Sequence, residues 1–352
     1  MRETLPPQLG PTGGDRPLRR LRDTLIAHIE IWRLDLFSYA GLVSLAGAFL
    51  TTHHRPLWHL IGAWLAPTLG WLAAMYGGDF FDRDLDAISK PQRPVPSGRV
   101  SARAAFAGMV ISVVSGAVIA ALLNPVNLVV VAITLALGVS YSGYFKARGV
   151  AGNLVRGGVT AMSFILGTLA MRHTMTLVLL PIAMIFWLHD SGSNVVGAIC
   201  DRDGDRKGGY RTFPVRHGDA AALVLMLAFD LCWAGLAIGY PLVLDDRLHY
   251  VSYSVVLGIA LLMGTVSATM LIRASRPIPR LVSLRAHEIL VIERLVLTSA
   301  FVAGATSMAI AVALFIPSAA AALLASIAIM RRSYEPSRTG WRKKAAGHSR
   351  VL

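Results

Sequence analysis

Apolar residues run through this chain in long continuous stretches, not in the strict alternation of a half-buried strand. Crossing a bilayer core takes roughly 20 mostly apolar residues of helix. Nine stretches approach or exceed that length: Thr24–Leu50, Leu57–Gly77, Ala104–Leu123, Val126–Gly143, Leu154–Met171, Met175–Asp190, Ala220–Leu244, Val251–Ile272 and Ile289–Phe315. A shorter run, Ser318–Met330, follows Pro317. A backbone in lipid must satisfy its own hydrogen bonds, which a helix does internally. The pattern predicts an all-α, polytopic membrane bundle of nine transmembrane helices, ten if the short run also crosses. The polar ends, residues 1–23 and 331–352, read as flexible basic tails around a transmembrane domain over 24–330.

Composition agrees. Of 352 residues 55% are hydrophobic and 15% charged, where soluble domains carry about 25% charged residues. Mean hydropathy is +0.57. The N-terminal stretch lacks the apolar core of a cleaved signal. Cys200 and Cys232 lie in or beside apolar segments and suggest no disulfide, and no Cys/His cluster has zinc spacing.

The net charge of +14 raises the question of nucleic-acid binding, and its distribution answers it. Lys and Arg crowd the N-terminus and the loops after spans two, four, six and eight, whereas the opposite side holds only Arg55, Arg172 and Arg247. That asymmetry marks the basic side as cytoplasmic, and with it the N-terminus. The charge is a topology signal and no nucleic-acid partner is expected. Seven further basic residues beyond Met330 favour a tenth crossing that returns the C-terminus to the same side.

Acids are scarce, 20 in all, yet seven fall in two windows. Asp79, Asp82, Asp84 and Asp86 end span two; Asp201, Asp203 and Asp205 follow span six. At about 100° per residue, Asp79, Asp82 and Asp86 share one helix face, with Asp84 opposite. Asp190, Asn194, Asp201 and Asp205 form a second stripe if helix continues past Gly192 and Gly197, with Asp203 opposite. Carboxylates packed on one face repel one another unless a cation is present. An all-oxygen site suits Mg²⁺, which binds through a few carboxylates plus substrate phosphates. A solvated acidic helix end explains any single Asp, but poorly explains two matched clusters.

Each cluster precedes a basic loop, Lys90–Gly98 and Arg206–Gly218, and both loops contain Arg followed by Pro-Val-x-x-Gly. The repetition four spans apart reads as an internal duplication with two pseudo-repeated halves facing one cavity. Carboxylates would hold Mg²⁺ while Lys and Arg, among them Arg93, Lys207 and Arg211, take phosphate oxygens.

Gly78–Gly98 resembles the first Asp-rich motif and following loop of UbiA-type intramembrane prenyltransferases, and Asp201–Gly218 resembles the second. Tyr141-Ser-Gly-Tyr-Phe-Lys146, with Gly152-Asn153 downstream, is similar to the family's Tyr-Ser segment and its basic residue. The likeness covers about residues 24–315. Gly78 stands where the family carries Asn, and Trp32-Arg33-Leu34 where it carries Arg-Pro. The resemblance implies a helical bundle around a central cavity open to the cytoplasm and to lipid. Asp79, Asp82, Asp86, Asp201 and Asp205 would hold Mg²⁺ on a prenyl diphosphate donor, with Asp82 and Asp201 central to catalysis. Lys146 and Arg148 would lie near the diphosphate, with Tyr141 and Asn194 as further substrate contacts, and a hydrophobic or aromatic acceptor would take the chain.

Asp190 would hold a cation, orient the acceptor or accept its proton; the alternative is a carboxylate paired with a neighbouring Arg. His189 reads as packed, and Glu293-Arg294 as an intrahelix or interfacial pair. Two rivals remain. One is a terpene cyclase, which needs the same metal–diphosphate ionisation but no acceptor and is kept open by Gly78. The other is a cation transporter, disfavoured because carriers place such acids near mid-membrane.

Overall fold

A computed structural model describes residues 15–325 apart from 35, 173, 176 and 243–247, and among these every regular element is helical. The two basic ends beyond 15 and 325 lie outside the described residues.

The first predicted span divides. Helix α1 (Asp15–Trp32) stops where Arg33 adopts a positive φ of 47°, and α2 begins at Tyr39 and ends at Thr51. Left-handed backbone is unfavourable for a side-chain-bearing residue, and local bonds hold it: Leu36 N–H donates to the Arg33 carbonyl at 3.0 Å. Residues 15–23, assigned to the tail by their polarity, are therefore the first turns of α1. Its Leu21, Leu25 and Ile26 are exposed, while Ala27 and Ile31 pack with Tyr76, Val95, Val100 and Ala105.

Helix α3 (Leu57–Phe81) crosses next and is followed, after Asp82 alone, by the short α4 (Arg83–Ser89). Then come α5 (Ala102–Leu123), started by the Ser101 hydroxyl accepting from the Ala104 N–H at 3.1 Å, and α6 (Asn127–Ser140). A π-helical turn, Tyr141–Phe145, ends α6, and α7 (Val150–Met171) follows. Helix α8 (Leu180–Lys207) runs unbroken through Gly192, Gly197 and the second Asp cluster, so the predicted loop after span six is helix up to Lys207. Helix α9 (Phe213–Gly239) bends at Gly218, whose φ is +79°; α10 (Tyr250–Arg273) completes the pair.

The last stretch is parsed differently from the hydropathy pattern. Helix α11 (Arg280–Ala305) ends at Thr306, and α12 (Met308–Ala325) carries Pro317 inside it. Polar Thr306 and Ser307 interrupt the apolar run, and the buried end of α11 is capped: Arg55 donates to the Ala305 carbonyl at 3.0 Å and the His249 N–H to that of Gly304 at 2.8 Å. The span read as Ile289–Phe315 is thus parts of two helices. Residues 318–325 of the short run belong to α12; 326–330 lie outside the described residues.

Helices α3, α5, α7, α9, α10 and α12, and α6 together with its π-helical turn, are long and apolar enough to cross a membrane. At 28 and 26 residues, α8 and α11 have ample length but carry ionisable groups, and α2 has 13 residues. The helices pack in sequence around a bundle in which α2 touches α3, α7 and α11 together. Small residues permit the closest crossings. A Cβ on Gly47 would strike the Phe164 carbonyl, one on Gly167 that of Ser44, and one on Gly157 that of Trp187. These contacts press α7 against α2 and α8, and so set where the polar residues of α7 meet those of α8.

Candidate active site

The first Asp cluster lies at the junction of α3 and α4. Asp79 and Asp86 are buried, and the Arg93 guanidinium reaches both, bonded to Asp86 and 3.7 Å from Asp79. Arg33, placed by the turn after α1, comes within 4.0 Å of Asp79. Asp82 receives the Lys146 ammonium at 2.8 Å from the turn between α6 and α7. Burial lowers the Lys146 pKa, but the Asp82 carboxylate outweighs it and holds the lysine above its ordinary value. Asp84 points outward, its side chain 87% exposed, as the helical phase requires.

The second cluster ends α8. Asp201 lies 3.6 Å from Lys90, which belongs to the loop after the first cluster. Asp205 accepts from the Thr212 hydroxyl at 3.1 Å, and both Asp201 and Lys146 act electrostatically on it. Arg33 and Arg93 act likewise on Asp201. The two motifs therefore face one set of cations. Asp203 is 66% exposed and held by Arg202, opposite the stripe. Among the described residues, no three acidic, His or Cys side chains already converge at metal distance; each carboxylate contacts a cation or hydroxyl instead. The donor set is nevertheless all oxygen with Lys and Arg interleaved, which suits Mg²⁺ carrying a diphosphate.

Deeper along α8, the stripe continues into α7. Asn194 donates to Asn153 at 2.7 Å and is hydrogen bonded to Tyr141. One turn further, buried Asp190 accepts from Thr160 at 2.9 Å, Arg156 at 3.3 Å and Arg294 at 3.4 Å. That is the paired-carboxylate alternative. An oxyanion shared by two guanidiniums and a hydroxyl is poorly suited to act as a base. Beside it, His189 meets Glu293 at 2.5 Å, both buried.

Other predicted contacts lie elsewhere. Arg148 is exposed and stacks on Tyr144, 3.5 Å from the ring centre. Lys207 is exposed at the end of α8, and Arg211 lines a cleft of about 350 Å³ with Arg216 and His217. Among the described residues, no hydrogen bond or ion pair joins these three to Asp79, Asp82, Asp86, Asp201 or Asp205. Conversely, Arg33 and Arg156, Lys90 of the first basic loop, and the Glu293-Arg294 pair read as intrahelix or interfacial all join the polar contacts of the interior. For Arg294 and Arg156 a signal existed: an ionisable residue within an apolar span is costly and implies a buried partner.

The sequence profile of the UbiA prenyltransferase family matches residues 40–277. A digeranylgeranylglyceryl phosphate synthase from Methanothrix thermoacetophila is 33% identical over 215 residues, covering 58% of this chain and 78% of the relative. One from Halobacterium salinarum is 33% identical over 195 residues, covering 54% and 68%. Among solved structures, a UbiA homologue from Aeropyrum pernix K1 superposes with a TM-score of 0.65 at 20% identity, covering 76% of this chain and 96% of that one. Another, from Archaeoglobus fulgidus and bound to GPP and Mg²⁺, gives 0.63 at 15% identity, covering 84% and 99%. At these identities the structures establish a shared fold.

Proposed function

The chain belongs to the UbiA prenyltransferase family, and from that premise we propose that it transfers an isoprenyl chain from a prenyl diphosphate to a lipid-soluble or aromatic acceptor within the membrane, releasing diphosphate. The observation that carries this reading is the Lys90–Asp201 contact at 3.6 Å, which brings the loop of one Asp motif onto the other. The Mg²⁺ dependence is supported by the all-oxygen donor set and by the A. fulgidus homologue described with GPP and Mg²⁺.

Asp79, Asp82 and Asp86 on one side, and Asp201 and Asp205 on the other, would hold the metal. Bound there, Mg²⁺ neutralises charge that grows on a departing diphosphate. The chain's own part is to bind and orient. Arg33, Lys90, Arg93 and Lys146 exchange a carboxylate for phosphate oxygens, and the C1–O bond breaks with its electron pair leaving on diphosphate. The buried bundle keeps water from the allylic cation, and Tyr141 presents an aromatic face beside Asn194. The acceptor's nucleophilic atom then bonds to C1 and its proton passes to the released diphosphate. Asp190 is a positioning residue. The basic side, with both Asp motifs and the N-terminus, faces the cytoplasm in this reading. The glyceryl phosphate named for the relatives makes a lipid alcohol one acceptor class to test.

A cyclase reading keeps one specific support: the family Asn is Gly78, and a Cβ there would meet open space with no neighbour. Membranes given geranyl to geranylgeranyl diphosphates and Mg²⁺, with and without phenolic and lipid-alcohol acceptors, separate the two by product mass. Transfer requires a prenylated acceptor. A hydrocarbon or terpene alcohol from donor alone would establish cyclisation instead.

A further inference from the structure

Helix α1 is packed at one end of the bundle only. Its buried positions, Ala27 and Ile31, meet Tyr76 late in α3, Val95 and Val100 between α4 and α5, and Ala105 early in α5. All of these lie at the Asp-motif end. About 120° round the helix from that packed edge, Leu21 and Leu25 are 59 and 54% exposed, and Ile26 is exposed as well. The sequence sets four arginines around this apolar stripe, Arg16, Arg19, Arg20 and Arg22. A helix with leucines on one side and arginines beside them suits the plane of a membrane interface, with leucines among the acyl chains and guanidiniums at the headgroups.

A second, independent feature sets the level. Phe81 ends α3 and Phe106 lies early in α5, and both are exposed, as aromatic side chains are where spans leave the hydrocarbon. Phe80 touches both rings and also packs against the Ala27–Ile31 cluster. The exposed stripe of α1 therefore has a headgroup layer beside it.

The C-terminal half of α1 is tied to the first Asp motif. Trp32 donates to the Tyr76 hydroxyl at 2.8 Å, and the His28 ring meets the same oxygen at 2.8 Å. Tyr76 lies about one turn before Asp79, which Arg33 approaches to 4.0 Å. Arg99 donates to Glu30 at 2.9 Å and to the Gln92 carbonyl at 2.7 Å, in the loop that carries Lys90 and Arg93.

We infer that α1 docks on anionic phospholipid headgroups of the adjacent leaflet, and that this docking braces Arg33 and the Lys90–Gly98 loop at the Asp motifs. The docking stands on its own; the bracing rests on the prenyltransferase reading. The occupant is lipid and not a second copy of the chain, because four arginines on each of two copies repel one another and match phosphates.

The test uses purified full-length protein in nanodiscs of phosphatidylcholine, with or without about one third phosphatidylglycerol as the anionic lipid. In a background with Cys200 and Cys232 replaced by Ser, Leu25→Cys and Asp23→Cys lie about 160° apart on α1 and carry the same fluorophore. Lipids brominated on their acyl chains should quench the label at Leu25 at least about twice as strongly as that at Asp23. Phosphatidylglycerol should deepen the quenching at Leu25, and replacing Arg16, Arg19, Arg20 and Arg22 together by Gln should remove that increment. Equal quenching at the two positions, or quenching indifferent to phosphatidylglycerol, overturns the docking. A disulfide-linked dimer through Leu25→Cys would identify the stripe as a contact between copies instead. The bracing is read from Mg²⁺–pyrophosphate affinity at saturating Mg²⁺. Phosphatidylglycerol should tighten it at least about 3-fold in wild type and leave the four-glutamine variant unchanged. Simple repulsion of an anion by a negative surface has the opposite sign, so affinity unchanged or weakened in wild type overturns the bracing. Failure of the prenyltransferase reading has a different signature: no Mg²⁺–pyrophosphate binding in any disc, with the quenching still deciding the docking.

Discussion

At the scale of single residues, the basic groups around the Asp motifs are engaged by the very carboxylates that would hold metal: Arg93 by Asp79 and Asp86, Lys146 by Asp82, Lys90 by Asp201. Metal and diphosphate should therefore bind cooperatively, each freeing partners for the other. In a thermal-shift assay, Mg²⁺ with pyrophosphate is expected to raise Tm by more than the two separate shifts combined; simple addition would contradict the exchange. Lys146→Gln removes a charge-assisted contact worth about 1.5–3 kcal/mol, so donor KM should rise on the order of 10- to 100-fold. The raised Lys146 pKa has a definite sign. Its contribution is fully present below the ordinary lysine value and is lost only as pH rises through the still higher folded value. Donor affinity should not fall between pH 7 and 9 on its account. The helical phase alone separated Asp84 and Asp203 from their neighbours, because direction on one helix is a local property. It could not show that Glu293 and Arg294 face His189 and Asp190, 104 residues away. Adjacent opposite charges look self-sufficient until the facing helix is known.

At the scale of elements, hydropathy located the spans but misjudged their ends. Apolar character continues across Arg33 and across Thr306–Ser307, where the backbone turns, so one stretch became α1 and α2 and another became α11 and α12. The second Asp window lies in helix for the opposite reason: its polarity suggested a loop, whereas α8 simply extends beyond the apolar part of its length. Helix pairing depends on features that a hydropathy window averages away. Gly167 of α7 lies against the Ser44 backbone of α2. Gly167→Val should force the two apart at about 1–3 kcal/mol, visible as a lower Tm in detergent. Glu293→Ala leaves His189 without its partner between α8 and α11. Breaking a buried pair costs about 3–5 kcal/mol, so this variant should be less stable than Glu293→Gln, which retains a hydrogen-bond acceptor. Equal stability of the two would mean that an acceptor facing His189 contributes nothing.

At the scale of the whole molecule, the bias of Lys and Arg predicts that the loop at Ser97 faces the cytoplasm and the loop at His54 the opposite side. Both residues are exposed. In a background with Cys200 and Cys232 replaced by Ser, His54→Cys should react with a membrane-impermeant maleimide in intact cells, and Ser97→Cys only after permeabilisation. The reverse pattern would invert the topology. The paired Asp motifs and their basic loops were legible because they are contiguous in sequence. The deeper polar core was not, because it is assembled from α2, α7, α8 and α11 with no motif of its own. The central claim is that both Asp motifs act together on one metal–diphosphate. Its most direct test compares Mg²⁺-dependent product formation, by mass spectrometry, in membranes containing wild type, Asp82→Ala or Asp201→Ala. The account predicts prenylated acceptor and diphosphate from wild type, and a loss of at least about 100-fold in either variant, the scale of removing one electrostatic contact to a developing charge. Product at the wild-type rate from either variant would contradict it.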